Sequence, residues 1–302
     1  MLKRLRTFTG GLILIAVAAV QVVAVDGGAA AASTMQCPTA KGQTALTKRY
    51  LTTDPLRIVS RRLVTFRQDH PAASGARVEA FLADSLCVVR VDKPSPSRDS
   101  VNSDMQWNNS QGGIFWDGQH HYVIAHWDWL NNSYKDDYFW SGCLAIFGSC
   151  TKNIGGFDGV GLALNTKATI PAPSSTSVDH SYYMATWGNG NNNDWTRSVK
   201  WAADTNNAFG VGFSRQDIGY VYCGISCGSW DNNMHHGDIL MFFDNYGRTC
   251  HDYQAFLKYS HTWSSTSVTG FSITSKSVGI TWSTTSNHWQ LAGLTGTAHV
   301  CR

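Results

Sequence analysis

From residue 107 to the C-terminus the chain repeats one pattern, a short apolar or alternating run followed by a turn rich in Gly, Asn and Ser. Such runs cover residues 113–116, 121–129, 143–147, 159–164, 182–187, 208–213, 220–223 and 239–243. A helix needs an apolar stripe at three- and four-residue spacing, whereas runs that alternate and stop this soon read as strands. The expected class is mainly β: a secreted, disulfide-stabilised, β-sandwich-like body with a short N-terminal strand and helix region. Composition agrees, because only one acidic residue is Glu, Glu79, and the chain thus lacks the better helix former of that pair. The same scarcity excludes a catalytic plan built on two glutamates. In this part only residues 252–259 look briefly helical.

Residues 1–32 read as a signal peptide, with a basic start (Lys3, Arg4, Arg6), an apolar stretch over 11–20 and the small residues 29–32 before the cut. Export implies a secreted, extracellular or cell-surface location. No later stretch reaches transmembrane length. Removal leaves 21 basic and 20 acidic residues, a net charge of +1, and all eight cysteines. An oxidising compartment makes disulfides the default use of those cysteines. Spacing suggests local loops at Cys143/Cys150 and Cys223/Cys227, with Cys37/Cys87 and Cys250/Cys301 tying the two ends.

Charge divides what remains. Residues 33–98 carry 11 basic and 5 acidic groups, whereas 99–302 carry 10 and 15 and hold every Trp. The first region is expected to hold one helix, over 76–86, leading into a strand at 87–91, and to pack on the body; a propeptide is the less favoured reading. The second is a Trp-rich β domain. It ends in a hairpin over 262–290, with Phe271 and Ile273 on one strand face and Val278, Ile280 and Trp282 on another. Nucleic acid is excluded as a partner, because no aromatics interleave densely with the basic residues.

Candidate chemistry concentrates in two segments. Along a strand at 120–129, the period of two puts His120, Tyr122, Ile124, His126 and Asp128 on one face, with His121, Val123, Ala125, Trp127 and Trp129 on a core face. Residues 230–238 repeat the Trp-Asp and His-His elements. Imidazoles and carboxylates suit a divalent metal or an acid–base pair. His120, His126 and Asp128 are thus catalytic candidates, and His120, His126, Asp128, His235 and Asp238 candidate metal ligands. No other cofactor is expected. Residues 224–228 match G-x-S-x-G but lack a following helix, so Ser226 is not expected to act as a nucleophile.

Aromatic rings in polar loops give a different reading. Trp116, Trp187, Trp195 and Trp230, with Asn191 and Asp194, would form a binding surface in which rings stack on sugars and amides bond hydroxyls. The leading expectation is a non-catalytic extracellular binding or interaction protein, recognising cell-wall or other carbohydrate or a protein ligand. A secreted hydrolase with a His/Asp site, metal-dependent or not, is the first alternative. A membrane-active hairpin at 262–290 is the second.

Overall fold

A computed structural model describes residues 37–50, 55–93, 101–131, 148–170, 181–188, 198–200, 203–223, 227–247 and 249–301, all within the compact unit Thr34–Arg302. The expected signal peptide, the strand at 143–147 and the turn containing Ser226 lie outside the described residues. Three helices come first: α1 (Ala40–Tyr50), α2 (Pro55–Asp69) and α3 (Gly75–Leu86). Short strands follow at β1 (Val89–Arg90), β2 (Met105–Trp107) and β3 (Gly113–Trp116), then β4 (His121–Trp129), β5 (Gly148–Leu164), β6 (Ala168–Thr169), β7 (Tyr182–Trp187) and β8 (Ser198–Lys200). The chain continues through β9 (Thr205–Asn207), β10 (Gly210–Cys223), β11 (Cys227–Asn232), β12 (His236–Asn245) and β13 (His251–Thr262). It closes with β14 (Val268–Thr274), β15 (Ser277–Trp282) and β16 (His288–Val300).

The domain is mostly β-stranded, and every ladder among the described residues is antiparallel. One sheet runs β1-β3-β4-β12-β7-β8, with β2 on β4 and β6 on β12; a second runs β11-β10-β5-β13-β16, with β9 on β10. They share one apolar core, to which the first contributes Trp107, Trp127 and Met241 and the second Val160, Phe213 and Tyr259. The alternation expected along β4 is present: Val123, Ala125, Trp127 and Trp129 enter this core. Tyr122 and Ile124 point the other way, yet they too are buried, beneath a second core made with Leu56, Val59 and Leu63 of α2 and Leu82 of α3. The N-terminal region is therefore packed onto the outer face of the first sheet.

That region holds three helices where one was expected. In α2, the buried residues Leu56, Val59, Ser60, Leu63, Val64 and Arg67 recur at helical spacing, while Arg57, Arg61 and Arg62 turn away from the sheet. Ser74 caps α3, its hydroxyl accepting from the Arg77 amide, and Cys87 ends it in the left-handed region at φ 53°. The strand expected at 87–91 shrinks to β1, because the first of those residues belong to this cap. A disulfide joins Cys37 to Cys87, and another joins Cys250 to Cys301. Cys150 is also disulfide-bonded, but the pairings expected for Cys143/Cys150 and Cys223/Cys227 involve side chains outside the described residues.

Two further expectations need correction. Residues 252–259 are not helical but lie in β13, where Tyr253, Ala255, Leu257 and Tyr259 alternate into the core with a period of two. Residues 208–213 and 220–223 are not separate strands; β10 is continuous over 210–223 and passes an irregularity between Gln216 and Ile218 against β5. The turn-like Asp217 and Gly219 fall at this irregularity. The terminal hairpin is β14–β15, turning at Ser275 and Lys276. Its Val268, Ile273, Val278 and Ile280 pack with Ala163, Phe209 and Phe256 on the outer face of the second sheet. Those apolar groups are thereby occupied, and the strands are 7 and 6 residues long, short of the 9–11 that a bilayer crossing takes. No helix among the described residues is long and apolar enough to cross a membrane.

Candidate metal centre on the first sheet

The register between β4 and β12 places Asp128 opposite His236 and His126 opposite Asp238. Cross-strand partners in an antiparallel pair share a face, and residues two apart share it too, so these four side chains form one block. Ile124 and Leu240 continue the same face as packed apolar residues. On the opposite face Gly237 lies beside Trp127 and leaves room for its ring.

Within the block the polar atoms converge. His126 Nε2 lies 2.9 Å from Asp128 Oδ1, and His236 Nδ1 donates to the same oxygen at 2.8 Å. His126 Nδ1 donates to Asp238 Oδ1 at 2.9 Å. The Arg67 Nε lies 3.2 Å from Asp238 Oδ2, so one line of paired polar groups runs Arg67–Asp238–His126–Asp128–His236. Asn108 donates to the remaining oxygen of Asp128 at 3.3 Å. Asp238 is 0% and His126 4% exposed, whereas Asp128 at 17% and His236 at 21% reach solvent. Among the described residues the block therefore opens at Asp128 and His236.

Burial and the Arg67 charge both push the His126 pKa down, but Asp128 and Asp238 outweigh them and it is raised. Burial alone would raise the carboxyl of Asp128; the facing His126 and His236 instead hold it far below the usual carboxylate range. A carboxylate on each ring nitrogen favours the doubly protonated form of His126 when nothing else occupies the block. The ligand atoms His126 Nε2, Asp128 Oδ1 and His236 Nδ1 all lie within 4.8 Å of one another. An ion replacing the shared protons would meet two imidazoles and one carboxylate.

No protein-family model matches the chain, and comparison with curated proteins and with solved structures gives no match. The chemistry of the site therefore rests on its own geometry.

Of the expected ligands, His126, Asp128 and Asp238 meet in the block, His235 lies beside it against His236, and His120 stands apart. His120 stands six residues before His126, on the order of 20 Å away along a strand, and donates from Nδ1 to Asp244 at 3.1 Å. His235 precedes β12 and is not among the three clustered ligands, although its ring lies edge-on 4.6 Å from that of His236; burial, then the charge of His236, pushes its pKa down to about 3. His236 takes its place. Of the binding candidates, Trp187 lies at the block and Trp116 away from it. Trp187 is 4% exposed, its ring stacked 5.8 Å from His126 and 5.9 Å from His236, and Trp116 packs on His121 at 4.3 Å. Asn191, Asp194 and Trp195 and the side chain of Trp230 lie outside the described residues. The G-x-S-x-G segment runs directly into the strand β11, where a nucleophile elbow would need a helix.

Two other clusters have ligand atoms equally close. Cys250 and Cys301 with His299 form one, but the disulfide already uses both sulfurs. Asp158, Asp217 and His261 form the other, buried among core residues. There Asp158 accepts from the Tyr259 hydroxyl at 2.7 Å, His261 Nδ1 at 3.0 Å and the Thr262 amide at 2.7 Å. These bonds pin Asp158 to β13 and leave its oxygens largely used.

A separate histidine supplies a pH test. His121, on the core face between the rings of Trp116 and Phe243, has its pKa lowered by burial from the ordinary 6.5 to about 4. The unfolded chain therefore takes up this proton first as pH falls, and stability drops between pH 6.5 and about 4 and is flat below. Compared with wild type, His121→Phe should retain on the order of 3 kcal/mol more of its neutral-pH stability at pH 4. Urea unfolding of both proteins across that window checks it, and parallel pH curves would refute it.

Proposed function

We propose that this protein is a metal-binding hydrolase, holding one divalent transition-metal ion between His126, Asp128 and His236. The convergence of these three ligand atoms on one face of two paired strands carries the reading. Two His and one carboxylate leave a fourth position for water, the arrangement of catalytic rather than structural zinc sites. An ion held there would polarise a substrate carbonyl and lower the pKa of its bound water.

The chain's own residues have separable parts in this. Asp238 holds the His126 ring by Nδ1 and so turns Nε2 toward the site. Asn108 holds the second oxygen of Asp128. Trp187 stacks on both imidazoles and closes one side to water. Since Asp128 and His236 reach solvent, substrate would arrive over them. In this proposal the hydrolase is an exported β-sandwich protein, in keeping with its disulfides and facing sheets. The carbohydrate-binding alternative has less support, because the Trp187 ring is committed to the imidazoles.

The test is metal uptake. Metal-free protein exposed to Zn²⁺ or Co²⁺ and desalted should retain about one equivalent through these three ligands. His236→Ala should weaken binding by more than the roughly 10–100-fold that loss of an outer hydrogen-bonding partner costs. Failure of the folded wild type to take up either ion would refute the proposal.

A further inference from the structure

We infer that Arg67, supplied by the N-terminal helical region, is a positioning residue of this metal site and acts through Asp238 on the His126 ring. The inference rests on the metal reading above and adds to it a residue from a different part of the chain. Asp238 Oδ1 accepts from His126 Nδ1 at 2.9 Å, beside the Gly237 carbonyl at 3.0 Å from the same nitrogen, and Oδ2 is ion-paired with Arg67 Nε at 3.2 Å without a hydrogen bond. The guanidinium charge beside Oδ2 draws that end of the carboxylate toward α2, and so biases the direction from which Oδ1 meets the imidazole. Because the ring is rigid, constraining Nδ1 also constrains where Nε2 points.

Arg67 is itself immobilised. One terminal nitrogen donates to Gln111 Oε1 and the other to the Gln111 backbone carbonyl at 2.9 Å. It lies one turn beyond Leu63 and Val64 on the buried stripe of α2, where an arginine is out of place unless it is paired. Its planar fork lets the outer nitrogens bond Gln111 while Nε faces Asp238 as an ion pair, a division that a lysine ammonium cannot reproduce. Metal-binding histidines commonly depend on such an outer partner for orientation. Here the outer partner has its own support, and that support comes from α2.

Cobalt titration followed by visible absorption tests this in wild type, Arg67→Met, Arg67→Lys and Gln111→Leu, with melting of each metal-free protein measured alongside. Arg67→Met is expected to bind Co²⁺ roughly 10–100-fold more weakly and to show an altered band shape. Arg67→Lys should recover part of the loss, and Gln111→Leu should show a smaller loss in the same direction. A purely structural Arg67 would lower the melting temperature but leave the Co²⁺ constant and spectrum of folded protein at wild-type values, and that result would overturn the inference. If Arg67→Met does not fold, Gln111→Leu decides, and wild-type binding by it overturns the assignment. No Co²⁺ uptake by wild type overturns the metal reading and this inference together; uptake with unchanged variants overturns the role of Arg67 alone.

Discussion

Gly237→Ala is expected to destabilise the protein by about 3 kcal/mol, the upper end of what overpacking a core costs. In an ordinary strand the change would favour folding, since glycine loses more backbone entropy than alanine. Here a Cβ on residue 237 would stand 2.0 Å from Trp127 Cζ2 and 2.2 Å from its Cη2. That ring has nowhere to go. Its Nε1 donates to the Met234 carbonyl at 3.1 Å, and it meets Trp107 edge-on at 5.9 Å and Tyr259 at 5.5 Å. The strain would instead push β12 away from β4, between the two residues that carry the candidate site, so metal affinity should fall with stability. Urea unfolding measures the first effect and Co²⁺ titration the second. In a Trp127→Phe background the alanine should cost less, because the ring atoms it strikes are gone, and a double-mutant cycle reads that coupling. A change of under about 0.5 kcal/mol for Gly237→Ala alone, the range of neutral surface substitutions, would refute the close approach.

Glycines of this kind show what is legible along the chain. In β5 and β10, Gly159 and Gly161 alternate with Val160 and Leu162, and Gly210 and Gly212 with Val211 and Phe213. The large residues enter the shared core, and the glycines let the hairpin lie close, with Val268, Val278 and Phe271 over Gly159, Gly161 and Gly212. Strand character and the inward face are visible in that alternation. What covers the outer face is not, because nothing in β5 names a hairpin more than a hundred residues later. In α2 the helical spacing is present but broken by charge, and the basic character of Arg67 hides its place on the buried stripe.

The site shows the same division. The parity rule selects His126 and Asp128 within β4 from sequence. Applied equally to residues 235–238 it selects His236 with Asp238 and leaves His235 on the other parity. Which histidine faces which carboxylate is different in kind. It depends on the register between β4 and β12, and a slip of one residue would have put the other set of side chains in the block. Gln111 and Asn108 arrive from the turn between β2 and β3 and Arg67 from α2, and none has a local signature as a partner. His120 illustrates the converse error, since a shared strand face does not bring together residues six positions apart.

Asp238→Ala is expected to cost about 3–5 kcal/mol of unfolding free energy, because it leaves a buried guanidinium facing a protonated imidazole with no carboxylate between them. Arg67 retains its bonds to Gln111, which satisfy hydrogen-bonding groups but bring no compensating charge. Replacing the whole pair is a different perturbation. In Arg67→Met/Asp238→Leu both desolvated charges are gone and apolar side chains of similar size fill the space, so stability should return to the wild-type value or exceed it by about 1–4 kcal/mol. Metal binding should not return with it. The double variant lacks the carboxylate at His126 Nδ1, which keeps only the Gly237 carbonyl at 3.0 Å, and its Co²⁺ affinity should remain roughly 10–100-fold below wild type. Urea unfolding and Co²⁺ titration of the three proteins therefore separate two reasons for burying an ion pair between α2 and the sheet. Recovery of stability without recovery of binding means that the pair serves the orientation of His126. If the double variant binds metal as wild type does, the pair is not needed to aim that ring.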